Sequence, residues 1–196
     1  MQPLAIAILA AGASRRLGRA KQLLCWRGKS LVQHALDTAA DTGQKPIFLV
    51  VGANQADVVG AVQAEDLTIV PNALWQEGLA SSIRSAVEQA QGRAQALMLL
   101  NCDQPQITAS ALKEMIARFD AAERPLVAAQ YNGVVGSPAI FGRIFFGQLL
   151  ALKGDTGARS ILREHEELLT RVDMPAASLD IDTEDDWLTI NQLDLP

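Results

Sequence analysis

Apolar positions along this chain of 196 residues fall into two patterns that alternate almost to its end. Short continuous apolar runs are typical of strands buried on both faces, and they predict strands at 4–9, 46–52, 67–70, 96–101, 125–131, 137–141 and 177–181. Between these runs apolar residues recur at helical spacing, which predicts helices at 30–43, 54–65, 78–90, 108–119, 143–152, 156–166 and after Asp182. Strands that alternate with helices form βαβ units, so the sequence predicts an α/β fold with a mainly parallel sheet and helices on both faces.

Composition is that of a folded protein, with 49% hydrophobic and 20% charged residues. The length predicts a single domain over residues 1–196. A net charge of -5 argues against a nucleic-acid-binding surface, and no apolar run reaches the ~18–20 residues of a membrane helix. An export signal carries its positive residues before its apolar run, whereas Arg15 and Arg16 follow the first apolar run here. We therefore do not interpret this run as an export signal. The two cysteines, Cys25 and Cys102, lie far apart in the sequence and do not have the spacing of metal ligands. So few cysteines fit a reducing compartment, and we expect a cytoplasmic protein.

The positive charge of the chain is concentrated near its beginning. Residues 1–36 contain no Asp or Glu and carry a net charge of +6, so the remaining 160 residues carry -11. Two interpretations stay open: a chance cluster on a solvated face, or a cationic surface that binds a small polyanion such as a nucleotide. Ligands of parallel sheets bind beyond the carboxyl ends of strands, which directs attention to the loop after the first predicted strand.

That loop combines small residues with cations. Ala10, Ala11 and Gly12 have side chains small enough to let backbone N–H groups approach a ligand closely. Arg16 offers a planar fork for phosphate oxygens, and Lys21 offers a compact point charge. A nucleotide triphosphate needs both amide donors and cations, so the loop is a candidate triphosphate site.

The run Leu9-Ala10-Ala11-Gly12-x-Ser14-x-Arg16-x-Gly18-x-x-Lys21 resembles the signature of the MobA-like nucleotidyltransferases. Within that superfamily the chain is most similar to the CTP:molybdopterin cytidylyltransferases, from residue 4 to about residue 190. The resemblance implies a Rossmann-like three-layer sandwich of the nucleotide-diphospho-sugar transferase type. It also implies that the loop wraps the nucleotide, with Arg16 and Lys21 on its phosphates. The implied nucleotide-binding residues are Leu9, Ala10, Ala11, Gly12, Ser14, Arg16, Lys21, Gly78, Ser81, Ser82 and Asp103.

Two aspartates are candidate ligands for a divalent cation. Asp103 follows a predicted strand, where it could also simply cap a turn. Asp182 follows another, and alternation places it with Asp180 on the face opposite Ile181. The resemblance implies that Asp103 and Asp182 both bind Mg²⁺, although Glu184 stands where the family usually has proline. Magnesium commonly takes one or two carboxylates together with oxygens of the substrate, so two aspartates suffice.

Later parts of the chain also resemble family motifs. Gly78, Ser81 and Ser82 lie at a predicted helix start, where they either cap the helix or meet the base, sugar or phosphates of a nucleotide. The resemblance implies nucleotide contacts at these positions. It further implies that the residues facing the acceptor are Gly136, Ser137, Pro138, Asp155 and Arg159.

The reaction implied by the resemblance moves CMP from CTP to the phosphate of the molybdenum-molybdopterin cofactor and releases pyrophosphate. Arg16, Lys21 and Asp103 are then the catalytic residues, Mg²⁺ the cofactor, and a molybdenum hydroxylase the recipient of the product. The methyl group of Ala11 stands where guanylyl relatives usually have glycine, which favours CTP over a purine nucleotide. Two other functions stay open: nucleotidyl transfer to another small phosphate, such as a sugar or polyol phosphate, or a cofactor-binding maturation chaperone without turnover.

Overall fold

A seven-stranded sheet forms the centre of the computed structural model, which describes residues 3–121, 123 and 125–192. The strands in chain order are β1 (Leu4–Ala10), β2 (Cys25–Trp26), β3 (Lys29–Ser30), β4 (Ile47–Val51), β5 (Leu67–Pro71), β6 (Ala96–Asn101), β7 (Leu126–Tyr131), β8 (Val134–Gly142) and β9 (Leu169–Asp173). The sheet has the order β5-β4-β1-β6-β8-β7-β9. Its strand β8 is antiparallel to both neighbours, and the other neighbouring pairs are parallel. β2 and β3 form a separate antiparallel hairpin.

Helices cover both faces of the sheet: α1 (Leu31–Ala40), α2 (Gln55–Gly60), α3 (Leu79–Ala90), α4 (Ala109–Ala121), α5 (Phe146–Leu150), α6 (Arg159–Glu164) and α7 (Glu184–Gln192). Alternate residues of β1 enter opposite cores, with Ile6 and Ile8 on one side and Ala5 and Ala7 on the other. The first core is closed by α1, α2 and α4, and the second by α3, α5 and α6. The predicted three-layer α/β fold is therefore confirmed. None of the helices in the described ranges is long and apolar enough to cross a lipid bilayer.

The predicted strand at 177–181 is wrong. Residues Pro175–Ser178 form a 3₁₀ turn. The residues after it pass the end of β6, which already has β1 and β8 as neighbours and therefore offers no free edge. The last strand of the sheet is instead β9, an edge strand that sends Leu169 into one core and Val172 into the other. One buried residue on each face is too weak a pattern to predict a strand.

Four predicted helices are clearly shorter in the structure. The one predicted at 30–43 is α1, which ends at Ala40, and three others are about half as long as predicted. The helix predicted at 54–65 is α2, the one at 143–152 is a 3₁₀ turn at Arg143–Phe145 followed by α5, and the one at 156–166 is α6. Apolar spacing shows which face of a helix is buried, but it does not show where the backbone hydrogen bonds end.

Candidate active site

A cavity of about 550 Å³ opens at the carboxyl ends of the neighbouring strands β1 and β6. Its volume lies within the range of small-molecule sites, ~300–1,000 Å³. Among the described residues, Ser14 and Ser81 are the predicted nucleotide-binding residues that do not line it. Arg15, Gln22, Trp75 and Glu77 line it without having been indicated by any sequence pattern. The predicted residues that line it are Leu9, Ala10, Ala11, Gly12, Arg16, Lys21, Gly78, Ser82, Asp103, Asp155 and Asp182.

Gln22 fixes the shape of the loop after β1. Its buried side-chain amide donates hydrogen bonds to the Ala10 carbonyl at 2.9 Å and to the Gly12 carbonyl at 2.7 Å. The backbone N–H of Lys21 donates to Ser14 Oγ at 3.1 Å, so Ser14 shapes the loop from outside the cavity. A buried amide is well suited to bind two backbone carbonyls, but its position beside Lys21 in the sequence gives no sign of this role.

Lys21 joins the two aspartates that are the candidate metal ligands. Its Nζ donates hydrogen bonds to Asp103 Oδ2 and, at 2.8 Å, to Asp182 Oδ1. The side chains of Lys21 and Asp103 are 16% and 13% exposed, and that of Asp182 is 33% exposed. Both carboxylates therefore converge on one nitrogen atom at the cavity wall.

These contacts shift the pKa values of the groups involved. Burial alone lowers the pKa of Lys21, but the Asp103 and Asp182 carboxylates outweigh burial and hold that pKa above its ordinary value. Burial alone raises the pKa of Asp182, but Lys21 and Arg16 outweigh burial and hold that pKa below its ordinary value. At neutral pH Lys21 is therefore a cation and Asp182 an anion.

Two arginines connect the loop after β1 to the beginning of α7. Arg16 Nη2 donates to Asp182 Oδ2 at 2.6 Å, and most of the Arg16 side chain is exposed. Arg19 Nη2 donates to both carboxylate oxygens of Glu184, at 2.8 and 2.9 Å. The concentration of positive charge at the beginning of the chain is thus partly balanced by the carboxylates of Asp182 and Glu184, near the end of the described chain.

Residues 174–182, called the return segment below, carry Asp182 from the edge of the sheet to its centre. The segment leaves β9 next to β7, where the Met174 N–H donates to the Gln130 carbonyl at 2.9 Å. It reaches the end of β6, where the Ile181 N–H donates to the Asp103 carbonyl at 3.0 Å. This crossing brings Asp182, which follows the edge strand β9 in the chain, close to Asp103, which follows the central strand β6.

Asp180 adds a third carboxyl group beside this pair. Its Oδ1 is buried and has no hydrogen-bond partner within the described residues. Burial first, and then the charge of Asp103, raise the pKa of Asp180 to about 6. The alternation in the sequence predicted Asp180 on the side of Asp182, although it gave no indication of a role.

The donor set fits a magnesium or manganese ion. Asp103 Oδ1 is buried and lacks a hydrogen-bond partner in the part of the chain that the structure describes, so an oxygen donor is left beside the Lys21 contact. Hard divalent cations take such oxygens, and Mg²⁺ usually completes its shell with phosphate and water oxygens. No cluster of three or more His, Cys, Asp or Glu side chains in the described ranges could hold a metal. Asp103 and Asp182 could together supply two carboxylates to such a cation.

A neighbouring loop holds the N-terminus of α3. The Leu79 N–H donates to Asp155 Oδ1 and the Ala80 N–H to the Gly154 carbonyl, both at 3.2 Å. Gly78 has a φ of 103°, and a Cβ at this position would lie 2.7 Å from Asp155 Cα. Asp155, predicted as an acceptor contact, thus lines the cavity and also caps α3.

The two serines predicted to bind the nucleotide differ in position. Ser81 is buried, donates to the Gly78 carbonyl at 2.8 Å, and accepts from the Asn72 side-chain amide at 2.8 Å. Ser82 lines the cavity, although its hydroxyl also accepts from Asn72 at 3.1 Å. Ser81 therefore ties Asn72 to the first turn of α3 and lies outside the cavity lining, whereas Ser82 lies beside the ligand space.

The remaining predicted acceptor residues lie apart from the cavity. Arg159 Nη2 donates to the Tyr131 hydroxyl at 3.0 Å, and its side chain packs over Gly136, where a Cβ would lie 2.9 Å from Arg159 Nε. Ser137 and Pro138 belong to β8. Within the described chain, the predicted acceptor residues that the cavity lining does not include are Gly136, Ser137, Pro138 and Arg159.

Comparison with known families identifies the class of this protein. Residues 6–169 match the family model described as "MobA-like NTP transferase domain". The chain therefore belongs to the MobA-like NTP transferase family, and the resemblance of its first loop to that superfamily is confirmed.

Individual relatives carry different names. The nicotine blue oxidoreductase of Paenarthrobacter nicotinovorans is 33% identical over 190 residues, covering 90% of each chain. The molybdenum cofactor cytidylyltransferase of Escherichia coli K12 is 28% identical over 188 residues, covering 94% of each chain. Crystal structures of Rv0371c from Mycobacterium tuberculosis H37Rv are 29% identical with a TM-score of 0.86 and, as a manganese complex, 27% identical with a TM-score of 0.79. Each pair covers 97% of this chain and 98% of the other.

Proposed function

We propose that this protein is a molybdenum cofactor cytidylyltransferase, which transfers CMP from CTP to the phosphate of the molybdenum-molybdopterin cofactor. The observation that carries this proposal is the convergence of Asp103 and Asp182 on Lys21 beside the loop after β1. Carboxylates, a cation and backbone amides in one cavity suit a magnesium triphosphate. The relative from Escherichia coli, whose name states this activity, supports the choice of nucleotide and acceptor.

The proposed reaction is a direct displacement at phosphorus. An oxygen of the acceptor phosphate forms a bond to the α-phosphorus of CTP, and the bond from that phosphorus to the bridging oxygen breaks, which releases pyrophosphate. A phosphate oxygen is already anionic at neutral pH, so the site needs no strong general base. Positioning and charge neutralisation therefore supply the catalysis.

Lys21 is suited to hold the triphosphate while it holds the aspartates. An ammonium group has three N–H donors, and the hydrogen bonds of the described residues use two of them, on Asp103 and Asp182. The third can donate to a phosphate oxygen. Arg16 is largely exposed at the cavity and can turn its guanidinium from Asp182 to the phosphates.

Asp103 and Asp182 would hold the divalent cation. A bound Mg²⁺ would offset the charge that develops on the transferring phosphoryl group and on the pyrophosphate. The buried Asp103 Oδ1 supports this assignment, as does the manganese in the similar Rv0371c structure.

The proposed preference for CTP rests on the wall beside Ala11. This residue lines the cavity but is 3% exposed. A Cβ built on Gly52 would lie 2.9 Å from Ala11 Cβ and 2.6 Å from Trp75 Cβ, so these three residues are in close contact. The methyl group of Ala11 thus adds bulk to a tightly packed wall, and this wall leaves less room for a purine.

A single assay tests the proposal. The purified protein is incubated with Mg²⁺, molybdenum-molybdopterin and each of the four ribonucleoside triphosphates, and both pyrophosphate and the dinucleotide product are measured. Pyrophosphate formed with CTP, and only when the cofactor is present, is the expected result. Turnover only when a sugar or polyol phosphate replaces the cofactor in a second incubation assigns a different acceptor. Cofactor binding, measured separately, without any pyrophosphate assigns a chaperone. A parallel incubation with nicotine blue and a reductant tests the activity named for the Paenarthrobacter relative.

A further inference from the structure

Gln104 directly follows Asp103 in the turn after β6, called the Asp103 turn below. Its side chain is almost fully buried, with 4% exposure. Its Nε2 donates to the Ala177 carbonyl at 2.8 Å and lies 3.4 Å from the Ser137 carbonyl. Both neighbours are acceptors, so the amide must present its NH₂ group to them. One side chain thereby connects the Asp103 turn to the return segment and to β8.

Apart from Lys21, which pairs with both aspartates, two residues join the Asp103 turn to the return segment in the part of the chain that the structure describes. Gln104 donates to the Ala177 carbonyl and also hydrogen-bonds to the Asp180 side chain, and the Ile181 N–H donates to the Asp103 carbonyl. These attachments are centred on Ala177 and on Ile181, and the second directly precedes Asp182. Together they fix the backbone between them, and that backbone determines where the Asp182 carboxylate stands relative to Asp103.

We infer that Gln104 is a positioning residue for the carboxylate pair, and that it controls the affinity of the site for a divalent cation. This inference rests on the proposed function, because it takes Asp103 and Asp182 as the metal ligands. Removal of the amide leaves the Ile181 hydrogen bond and the Lys21 ion pairs as the attachments named above, so the backbone that carries Asp182 is held less firmly relative to Asp103. The same amide also involves Ser137, which was predicted to face the acceptor. The Ser137 backbone carbonyl in β8 accepts from Gln104, and Ser137 lies outside the cavity lining.

A purely structural role makes a different prediction. A buried amide that only stabilises the fold would lower the free energy of unfolding on removal, since the Ala177 carbonyl loses its partner. It would leave metal affinity unchanged. Metal binding is therefore the discriminating measurement.

The test replaces Gln104 by Met, which has a similar length but no hydrogen-bond donor. Mn²⁺ binding is measured by the loss of the free-ion electron paramagnetic resonance signal, without any turnover, and Mg²⁺ activation is measured in the pyrophosphate assay. We expect Gln104→Met to weaken Mn²⁺ binding and to raise the half-activating Mg²⁺ concentration, each by about tenfold or more. At saturating metal the KM for CTP stays close to that of the wild type.

Thr42→Val is the matched control. Thr42 is buried, and its hydroxyl donates to the Ala39 carbonyl at 2.6 Å near the end of α1, away from the cavity lining. We expect this variant to lose stability while Mn²⁺ affinity stays unchanged. Should Gln104→Met not fold, Gln104→Asn keeps the amide but shortens its reach, and it should also weaken Mn²⁺ binding.

Two outcomes overturn the inference. The first is wild-type Mn²⁺ affinity in a folded Gln104 variant, which leaves Gln104 with a structural role only. The second is no Mn²⁺ binding by the wild type, which removes the pair that Gln104 would position. Failure of cytidylyl transfer with intact Mn²⁺ binding contradicts the proposed reaction instead, and the comparison of metal affinities still decides the role of Gln104.

Discussion

Lys21 Nζ donates a hydrogen bond to Asp182 Oδ1 at 2.8 Å, although 161 positions of the chain separate the two residues. The same nitrogen donates to Asp103, so one cation lies between two anions that would otherwise repel each other. The arrangement gives Lys21 two opposing effects. It keeps the aspartates close together, and it also competes with a metal ion for their oxygens.

Lys21→Ala should therefore affect turnover and metal affinity in opposite directions. We expect cytidylyl transfer to fall by about 10²–10³-fold, the loss typical for a charge-stabilising donor. Mn²⁺ binding without nucleotide should become tighter, because the carboxylates lose their competing cation. Lys29→Ala, which removes an exposed lysine paired with Asp37, is the control and should change neither quantity. Unchanged pyrophosphate release by Lys21→Ala contradicts the role of this lysine.

Asp103→Asn should abolish metal-dependent transfer while the protein stays folded. An amide of the same shape cannot supply the anionic oxygen that a hard cation requires. Activity should not return when Mg²⁺ or Mn²⁺ is raised tenfold above the concentration that saturates the wild type. Asp37→Asn, at the exposed pair with Lys29, controls for the loss of one charge. Full activity of Asp103→Asn rules out metal ligation by this residue.

Gly78→Ala should destabilise the protein and raise the KM for CTP. The backbone of Gly78 has φ 103° and ψ -172°, a region that is essentially restricted to glycine. Strain there costs roughly 1–3 kcal/mol, and the new methyl group also displaces the Asp155 loop that caps α3. Gly60→Ala is the matched control, because Gly60 lies in α2 with open space around its Cα. It should stabilise the protein by up to ~1 kcal/mol in urea unfolding, and equal effects of the two substitutions contradict the prediction.

Asp180→Asn tests the raised pKa of the third carboxyl group. Because its pKa is about 6 in the folded protein against 3.8 ordinarily, the folded state favours the protonated form. The contribution of Asp180 to stability is thus fully present below pH 4 and is lost as pH rises through about 6. We expect the free energy of unfolding of Asp180→Asn, relative to wild type, to increase between pH 4 and pH 7 and then to level off. A difference that does not change over this range contradicts the raised pKa.

The sequence predicted the sheet and the first loop well because both depend on local patterns. Continuous apolar runs such as 96–101 have few alternatives to a buried strand, and the loop signature occupies consecutive positions. Asp103 and Asp182 were also indicated, since each follows an apolar segment. The resemblance also implied that both aspartates meet beside the first loop at one metal site. The direct ion pairs of both with Lys21 were not predicted, because they depend on the path of the return segment across the sheet.

Two of the residues that sequence patterns missed act through backbone carbonyls. Gln22 binds the carbonyls of Ala10 and Gly12, and Gln104 binds that of Ala177. Every residue has a backbone carbonyl, so the residue types around either glutamine do not show which carbonyl it binds. The predicted strand at 177–181 failed for a related reason: alternation describes which side of a segment is buried, but not whether a neighbouring strand has a free edge.

The crossing of the return segment has a consequence for biosynthesis. Because Asp182 comes after the last strand in the chain, a ribosome must deliver nearly every element of the sheet before the second aspartate can reach the first. A nascent chain that already holds its amino-terminal loop and Asp103 therefore offers a divalent cation only one of the two proposed ligands. Premature termination between the end of β9 and Asp182 would yield a polypeptide with every strand of the sheet but without the second carboxylate.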